Sequence, residues 1–149
     1  MAKIKMTGFE DLEKYLVKHA DKTAALTKRC VYAGAYAVAD DVRKSAESVI
    51  KKDREHAARQ TGELLSDGHF GVTHIQANAS GAETAVGFNG YDSKGTPIPL
   101  IAAVLESGNS TNSQQATHFF SRATRSARPK AYSAMQKIVN KFMENNQGE

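Results

Sequence analysis

Apolar residues recur with a helical period in the first third of the chain. From Val31 to Val49 they are spaced three or four residues apart, which places them on one face of an α-helix. The pattern predicts a long helix over residues 22–52 whose apolar stripe faces the core. Small side chains along the same stretch would let another helix or a sheet approach closely. They are Ala33, Gly34, Ala35, Ala37 and Ala39.

A shorter helix is predicted before it, over residues 7–20. Thr7 and Glu10 have the spacing of a capping box, in which two side chains bond the free amides of the first helical turn. Phe9, Leu12 and Leu16 follow at helical spacing. After the long helix, residues 51–60 are densely charged and lose the apolar period, so we expect an exposed linker or a frayed helix end there.

The middle of the chain alternates in the manner of β-strands. Phe70 and Val72 alternate with small or polar residues, and Val86 and Phe88 do the same before an Asn-Gly turn at residues 89–90. Residues 78–81 are small and polar and are predicted to be a loop. We therefore expect an antiparallel hairpin.

Residues 99–107 contain a run of six apolar residues that is compatible with a buried strand or with a short helix. We favour the helix, because Pro99 suits a first helical turn and Gly108 suits the position just after a helix. The next segment, residues 107–117, has eleven residues with no charge and little apolar bulk. We expect it to be a flexible loop, since ordering its backbone would gain little burial.

The last part of the chain is helical by pattern. A short helical patch is predicted from Phe119 to Ala127, and Pro129 is predicted to open a final helix that frays over residues 145–149. We place four side chains of this helix on one face: Tyr132, Met135, Val139 and Phe142. We find no internal repeat and no second domain, so these elements predict a single domain over residues 1–149.

Composition limits the class of protein. The chain has 149 residues, a net charge of +4 and one cysteine, Cys30, which excludes an internal disulfide. No stretch approaches the roughly 18–20 apolar residues of a membrane span, and the first residues lack the apolar region of a secretory signal. We therefore expect no membrane association and a reducing, cytoplasmic environment.

Charge is distributed unevenly along the sequence. Residues 1–60 carry 13 Lys and Arg against 9 Asp and Glu, residues 61–110 carry 1 against 5, and residues 111–149 carry 6 against 2. Basic ends around an acidic middle are compatible with copies that meet head to tail, with a nearby nucleic acid, or simply with solvated helix faces.

Catalytic and metal-binding patterns are missing from the sequence. His69 and His74 are predicted to face opposite sides of a strand, and the neighbouring carboxylates of Asp40 and Asp41 diverge on a helix. Cys30 lies on an apolar helical face and is expected to pack. We find no phosphate-binding loop and no nucleophile elbow. We therefore predict that the protein is not an enzyme and has no cofactor or metal site.

Two basic clusters raise an alternative function, a small nucleic-acid-binding protein. Phosphate binding requires little more than clustered cations, although no recognised DNA- or RNA-binding motif accompanies them. Charged helix faces are the simpler interpretation. The residues that would face nucleic acid are Lys51, Lys52, Arg54, Arg125, Arg128 and Lys130.

Several short segments, taken in order, resemble one family. They are Thr7-Gly8-Phe9-x-x-Leu12, the alanine-rich helix, Thr61-Gly62-x-Leu64, the hairpin, Ala102-x-x-Leu105-Glu106-x-Gly108, the polar loop, and Phe119-Phe120-x-Arg122-Ala123 before the terminal helix. This order is similar to the small tail-component family of lambda-like long-tailed bacteriophages and prophages. Its members are described as tail-completion, tail-terminator or head–tail joining proteins.

The resemblance spans about residues 6–143 and implies an α+β domain with its core in that range, in which the long helical region and the C-terminal helix pack on a small antiparallel sheet. It also implies a structural protein of the virion that forms a ring at the head–tail junction or at the head-proximal end of the tail. Its partners would be further copies of itself, tail-tube or head-connector proteins, and DNA passing through the ring. It would be found in the host cytoplasm during assembly and then in the tail or neck. The interface candidates are Thr61, Gly62, Leu64, Glu106, Gly108, Phe119, Phe120 and Arg122.

Overall fold

The computed structural model describes residues 20–52, 63–78, 81–111 and 114–146. Of the predicted helix over residues 7–20, residues 7–19 lie outside these ranges, and of the predicted linker over residues 51–60, residues 53–60 do. Arg54, Thr61 and Gly62 also lie outside them. The described elements are α1 (Ala20–Lys52), β1 (Phe70–Val72), β2 (Gln76–Asn78), β3 (Gly81–Glu83), β4 (Val86–Phe88), α2 (Ile98–Ser107) and α3 (Phe119–Asn146). The predicted α+β class is confirmed, with helices packed on a small antiparallel sheet.

Helices α1 and α3 pack against each other in antiparallel directions. Ser45, late in α1, donates a hydrogen bond from Oγ to the Phe119 carbonyl (3.0 Å) at the start of α3. At the other end, Cys30 Sγ lies 3.9 Å from the carbonyl oxygen of Met135. Small residues form much of the contact, as the sequence predicts, because they let the two backbones approach closely. The buried alanines are Ala35, Ala39 and Ala46 on α1, and Ala123, Ala127 and Ala131 on α3.

The four strands form the predicted hairpin in two separate ladders. Strand β1 pairs with β4 and β2 pairs with β3, both antiparallel. Three residues separate β1 from β2, but only two separate β3 from β4. The first arm of the hairpin, which contains β1 and β2, is therefore one residue longer than the second arm, which contains β3 and β4. Thr73 and Thr84 join the arms there, and the Thr73 amide donates to the Ala85 carbonyl (2.8 Å). The predicted loop at 78–81 was too wide, because its first and last residues, Asn78 and Gly81, pair with each other.

The apolar run within residues 99–107, which was compatible with a strand or a helix, forms helix α2 as predicted. It follows Pro97, has Pro99 in its first turn and ends at Gly108, which has a φ of 77° and donates its N–H to the Val104 carbonyl (2.8 Å). A β-carbon at position 108 would lie 2.7 Å from both Ala116 N and Gln114 O. Glycine is therefore required there both by the backbone angle and by the close approach of the following segment.

Helix α3 corrects the prediction of two helices divided at Pro129. The proline lies inside one continuous helix of 28 residues, with Ala127 and Ala131 buried on either side of it. The missing N–H removes one helical hydrogen bond, but packing of the alanines on α1 holds the helix together. Two smaller predictions are also wrong: Tyr132 is 71% exposed rather than on the packed face, and the helix continues to Asn146, past the predicted fraying point.

The core lies where α1, the β1–β4 ladder, α2 and the start of α3 meet. The ring of Phe88 contacts the rings of Phe70 and Phe119, with centroid distances of 4.8 Å to Phe70 and 6.1 Å to Phe119. Arg43 places its guanidinium 5.5 Å from the Phe70 ring centroid and covers one side of this group. The most deeply buried large side chains are Phe119, Leu64, Ile98 and Val42.

The close approach of α1 and α3 can be tested at Gly34, where a β-carbon would overlap Cε of Met135. We expect Gly34→Leu to lower the free energy of unfolding by about 1–3 kcal/mol, because overpacking forces the helices apart. Combining it with Met135→Ala should restore part of this loss. Chemical denaturation measures both variants. Ala25→Leu, at an exposed position of α1, is the control and should change stability by less than about 0.5 kcal/mol; an equal effect at the two positions would contradict the packing.

Candidate functional site

The end of α2 and the start of α3 are joined by a carboxylate. Glu106 accepts hydrogen bonds from the backbone amides of Phe120 (2.8 Å) and Ser121 (3.2 Å), and also from Ser121 Oγ. These amides belong to the first turn of α3 and have no partner within the helix. Partial burial of Glu106 opposes ionisation, but the hydrogen bonds from Ser121 and Phe120 outweigh it, so the pKa of Glu106 is lowered. The charge also interacts favourably with the helix N-terminus.

The polar segment after α2 returns to the helix it leaves. Asn109 and Gln114 exchange two backbone hydrogen bonds of 2.9 Å. Thr117 then donates its N–H to the Leu105 carbonyl (3.0 Å), and His118 donates to the Glu106 carbonyl (3.1 Å). The chain itself therefore bonds the described residues of 107–117 near both ends of the segment. Flexibility of the segment stays a prediction.

An apolar cleft opens beside this junction. Its volume is about 210 Å³, below the roughly 300–1,000 Å³ of typical small-molecule sites. The size and the apolar lining suit one or two inserted side chains better than a cofactor. The cleft is lined by Gly87, Phe88, Ala102, Ala103, Glu106, Phe119 and Phe120.

Four of the six predicted interface residues in the described part have a role within the fold. Leu64 and Phe119 are buried in the core, at 0% and 2% exposure. Gly108 ends α2, and Glu106 caps α3. These contacts give the four residues a role within the fold, and Glu106 and Phe119 also line the cleft. Their contact with a partner stays a prediction. Two other candidates remain available: Phe120 is half-buried on the cleft wall, and Arg122 is exposed.

The loop between β4 and α2 is held by hydrogen bonds to two carboxylates, and sequence reasoning missed these contacts. Asp92 accepts backbone hydrogen bonds from Lys94 (2.9 Å) and Thr96 (2.7 Å), and the Thr96 amide is the main reason that the pKa of Asp92 is lowered. Glu63 accepts from the Ser93 amide (2.7 Å) and from its hydroxyl. Asp92 followed by Gly95 is a recognisable turn pattern, whereas the Glu63 contact joins distant parts of the chain and has no sequence signal.

The predicted basic residues that the structure describes on α3 differ in their contacts. Lys130 Nζ lies 2.7 and 2.8 Å from the two carboxylate oxygens of Asp41 on α1, so its charge is paired within the fold. Its contact with nucleic acid stays a prediction. Arg125 and Arg128 are exposed on α3. Lys51 and Lys52 end α1, and their side chains lie outside the described part.

Other reactive side chains are accounted for by local contacts. Nδ1 of His69 is 2.9 Å from the Glu63 carbonyl oxygen, and Cys30 is half-buried against α3. Within residues 20–52, 63–78, 81–111 and 114–146, no group of three or more His, Cys, Asp or Glu is arranged to hold a metal ion. In the same ranges, none of the helices has the length and apolar character to span a bilayer.

Comparison with known proteins returns no matching family model, no matching curated protein and no matching solved structure.

The capping role of Glu106 predicts a pH-dependent effect. We expect Glu106→Gln to lower the free energy of unfolding by about 1 kcal/mol at neutral pH, because the charged cap is lost. Since the folded pKa lies below the ordinary 4.5, this contribution is complete above that value and disappears as the pH falls through the folded pKa. Denaturation as a function of pH measures the effect. Glu83→Gln, at an exposed position of β3, is the control; identical pH profiles for the two variants would contradict the cap.

Proposed function

We propose that this protein is a structural component of a long-tailed phage virion that forms a ring at the head–tail junction or the head-proximal end of the tail. The observation that supports this function is the convergence of the segments that resemble the tail-component family. Leu64, Leu105 and Phe119 come from three of these segments and belong to one core cluster. Glu106 of one segment caps the helix that begins with another. Such convergence is expected if the segments specify that family's fold.

Ring formation requires a surface on one face of the subunit that fits a different surface on the next. The apolar cleft beside α2 is suited to be one of these surfaces, since a neighbouring copy could fill it with an apolar side chain. Large apolar side chains are exposed elsewhere on the described part and would be available for the complementary role. They include Tyr36, Tyr91, Leu100 and Met143.

The partners under this proposal are further copies of the chain and the proteins of the tail tube or head connector. The protein would assemble in the host cytoplasm and remain in the tail or neck of the virion.

The cleft can be blocked without disturbing the core. Ala103 lines the cleft and is exposed in the middle of α2, so we expect Ala103→Glu to fold normally but to abolish ring assembly by filling the cleft with a charge. Ala24→Glu makes the same change at an exposed position of α1 and should assemble like the unmodified protein. Solution mass and electron microscopy, each with and without tail tubes, measure assembly, and thermal unfolding confirms folding.

Two outcomes would contradict the proposal at different levels. Normal assembly of Ala103→Glu would show that the cleft is not the contact surface. Tails of normal length that join heads in the absence of this protein would refute the function itself.

A nucleic-acid-binding protein is the second candidate function, favoured by the exposed arginines of α3. It differs from the first in requiring no assembly with tail tubes. A chain that stays monomeric in their presence but binds nucleic acid would support this candidate over the virion protein.

A further inference from the structure

The outward side of α3 carries three arginines in succession. Arg122, Arg125 and Arg128 are exposed and spaced three residues apart, and Tyr132 follows one turn later with 71% of its surface exposed. Residues at intervals of three and four lie on the same side of a helix. The opposite side is fixed by the buried alanines at 123, 127 and 131. We call these four exposed residues the arginine face.

The positive charge of the arginine face is not compensated by the described part of the protein. Helix α3 has six Lys and Arg residues and one acidic residue, Glu144. No ion pair or hydrogen bond involves the three arginine side chains among residues 20–52, 63–78, 81–111 and 114–146. Two carboxylates that contact α3 are engaged elsewhere on it: Asp41 binds Lys130, and Glu106 caps the first turn.

The chemistry of the arginine face fits a phosphate backbone better than a protein surface. Guanidinium groups bind phosphate oxygens in pairs of hydrogen bonds, and a linear row of cations matches the linear row of charges along a nucleic acid. Arginine and tyrosine are also common in protein interfaces, but such interfaces have an apolar core. Tyr132 is the sole large apolar side chain in this set, so the arginine face offers no such core. An exposed tyrosine beside arginines also suits stacking on an unpaired base.

We propose that the arginine face binds the phosphate backbone of a nucleic acid, without sequence preference. The proposed set on α3 differs from the one predicted from the sequence. It includes Arg122 with Arg125 and Arg128, and it excludes Lys130 because Lys130 is paired with Asp41. The proposal does not require ring assembly, so it and the proposed function can fail separately.

The test compares two variants that remove equal charge from different sides of α3. Arg125→Gln with Arg128→Gln removes two charges from the arginine face. Lys137→Gln with Lys141→Gln removes two from the side that carries Lys130, because Lys137 lies seven residues after Lys130 and Lys141 four residues later. All four positions are exposed, so both variants should melt at the temperature of the unmodified protein.

Fluorescence anisotropy with labelled duplex DNA, and with a single strand of the same length, gives affinity as a function of salt. We expect the affinity of the unmodified chain to fall steeply with salt. The arginine variant should bind at least about tenfold more weakly at low salt, and its salt slope should be lower by about two, one for each phosphate that is no longer neutralised. The lysine variant should change the slope far less. The two nucleic acids distinguish whether the face prefers a duplex or a single strand.

Three results would overturn the proposal. The first is undetectable binding of both nucleic acids at low salt. The second is an equal reduction of affinity in the two variants, which would reflect net charge instead of this face. The third is displacement of DNA by polyglutamate at an equal concentration of charge, which would assign the face to an acidic protein.

Discussion

The close packing of α1 against α3 is the contact on which the rest of the fold depends. It is made by small residues, with Gly34 directly beneath Met135 and alanines buried at every fourth position of α3 from 123 to 131. Because the helices approach so closely, the start of α3 is held against the core at Phe119, where Ser45 of α1 bonds its carbonyl. Larger side chains along this contact would displace α3, and the junction with α2 would change its geometry.

Two functional features follow from where α3 is held. Its first turn meets the end of α2, where the Glu106 cap and the apolar cleft lie side by side. Its inward side packs against α1 through the buried alanines, so its outward side, with the arginine face, is exposed to solvent. The same helix thus supplies the surface proposed for contact with a neighbouring subunit and the surface proposed for nucleic acid. The two lie on different parts of α3 and can be removed independently.

Sequence reasoning predicted the elements whose signal is periodic and local. The long helix, the hairpin pairing and α2 with its terminal glycine are confirmed, since each follows from spacing or turn chemistry. The prediction at Pro129 was wrong because packing of Ala127 and Ala131 outweighs a local helix-breaking rule. Resemblance did not separate core from surface, so Leu64 and Phe119 were assigned to an interface. The partner of Lys130 is 89 residues away in sequence, and no local pattern reveals such a pair.

Helix α3 is one continuous helix whose buried alanines pack against α1. Amide hydrogen exchange resolved along the chain tests this continuity most directly, because buried helical hydrogen bonds exchange only on opening. The account predicts slow exchange at Ala127 and Ala131, comparable to that of Ala39 and Val42 in α1, with no break around Pro129. Fast exchange from residue 126 to residue 132, between two protected segments, would contradict it and would show two separate helices.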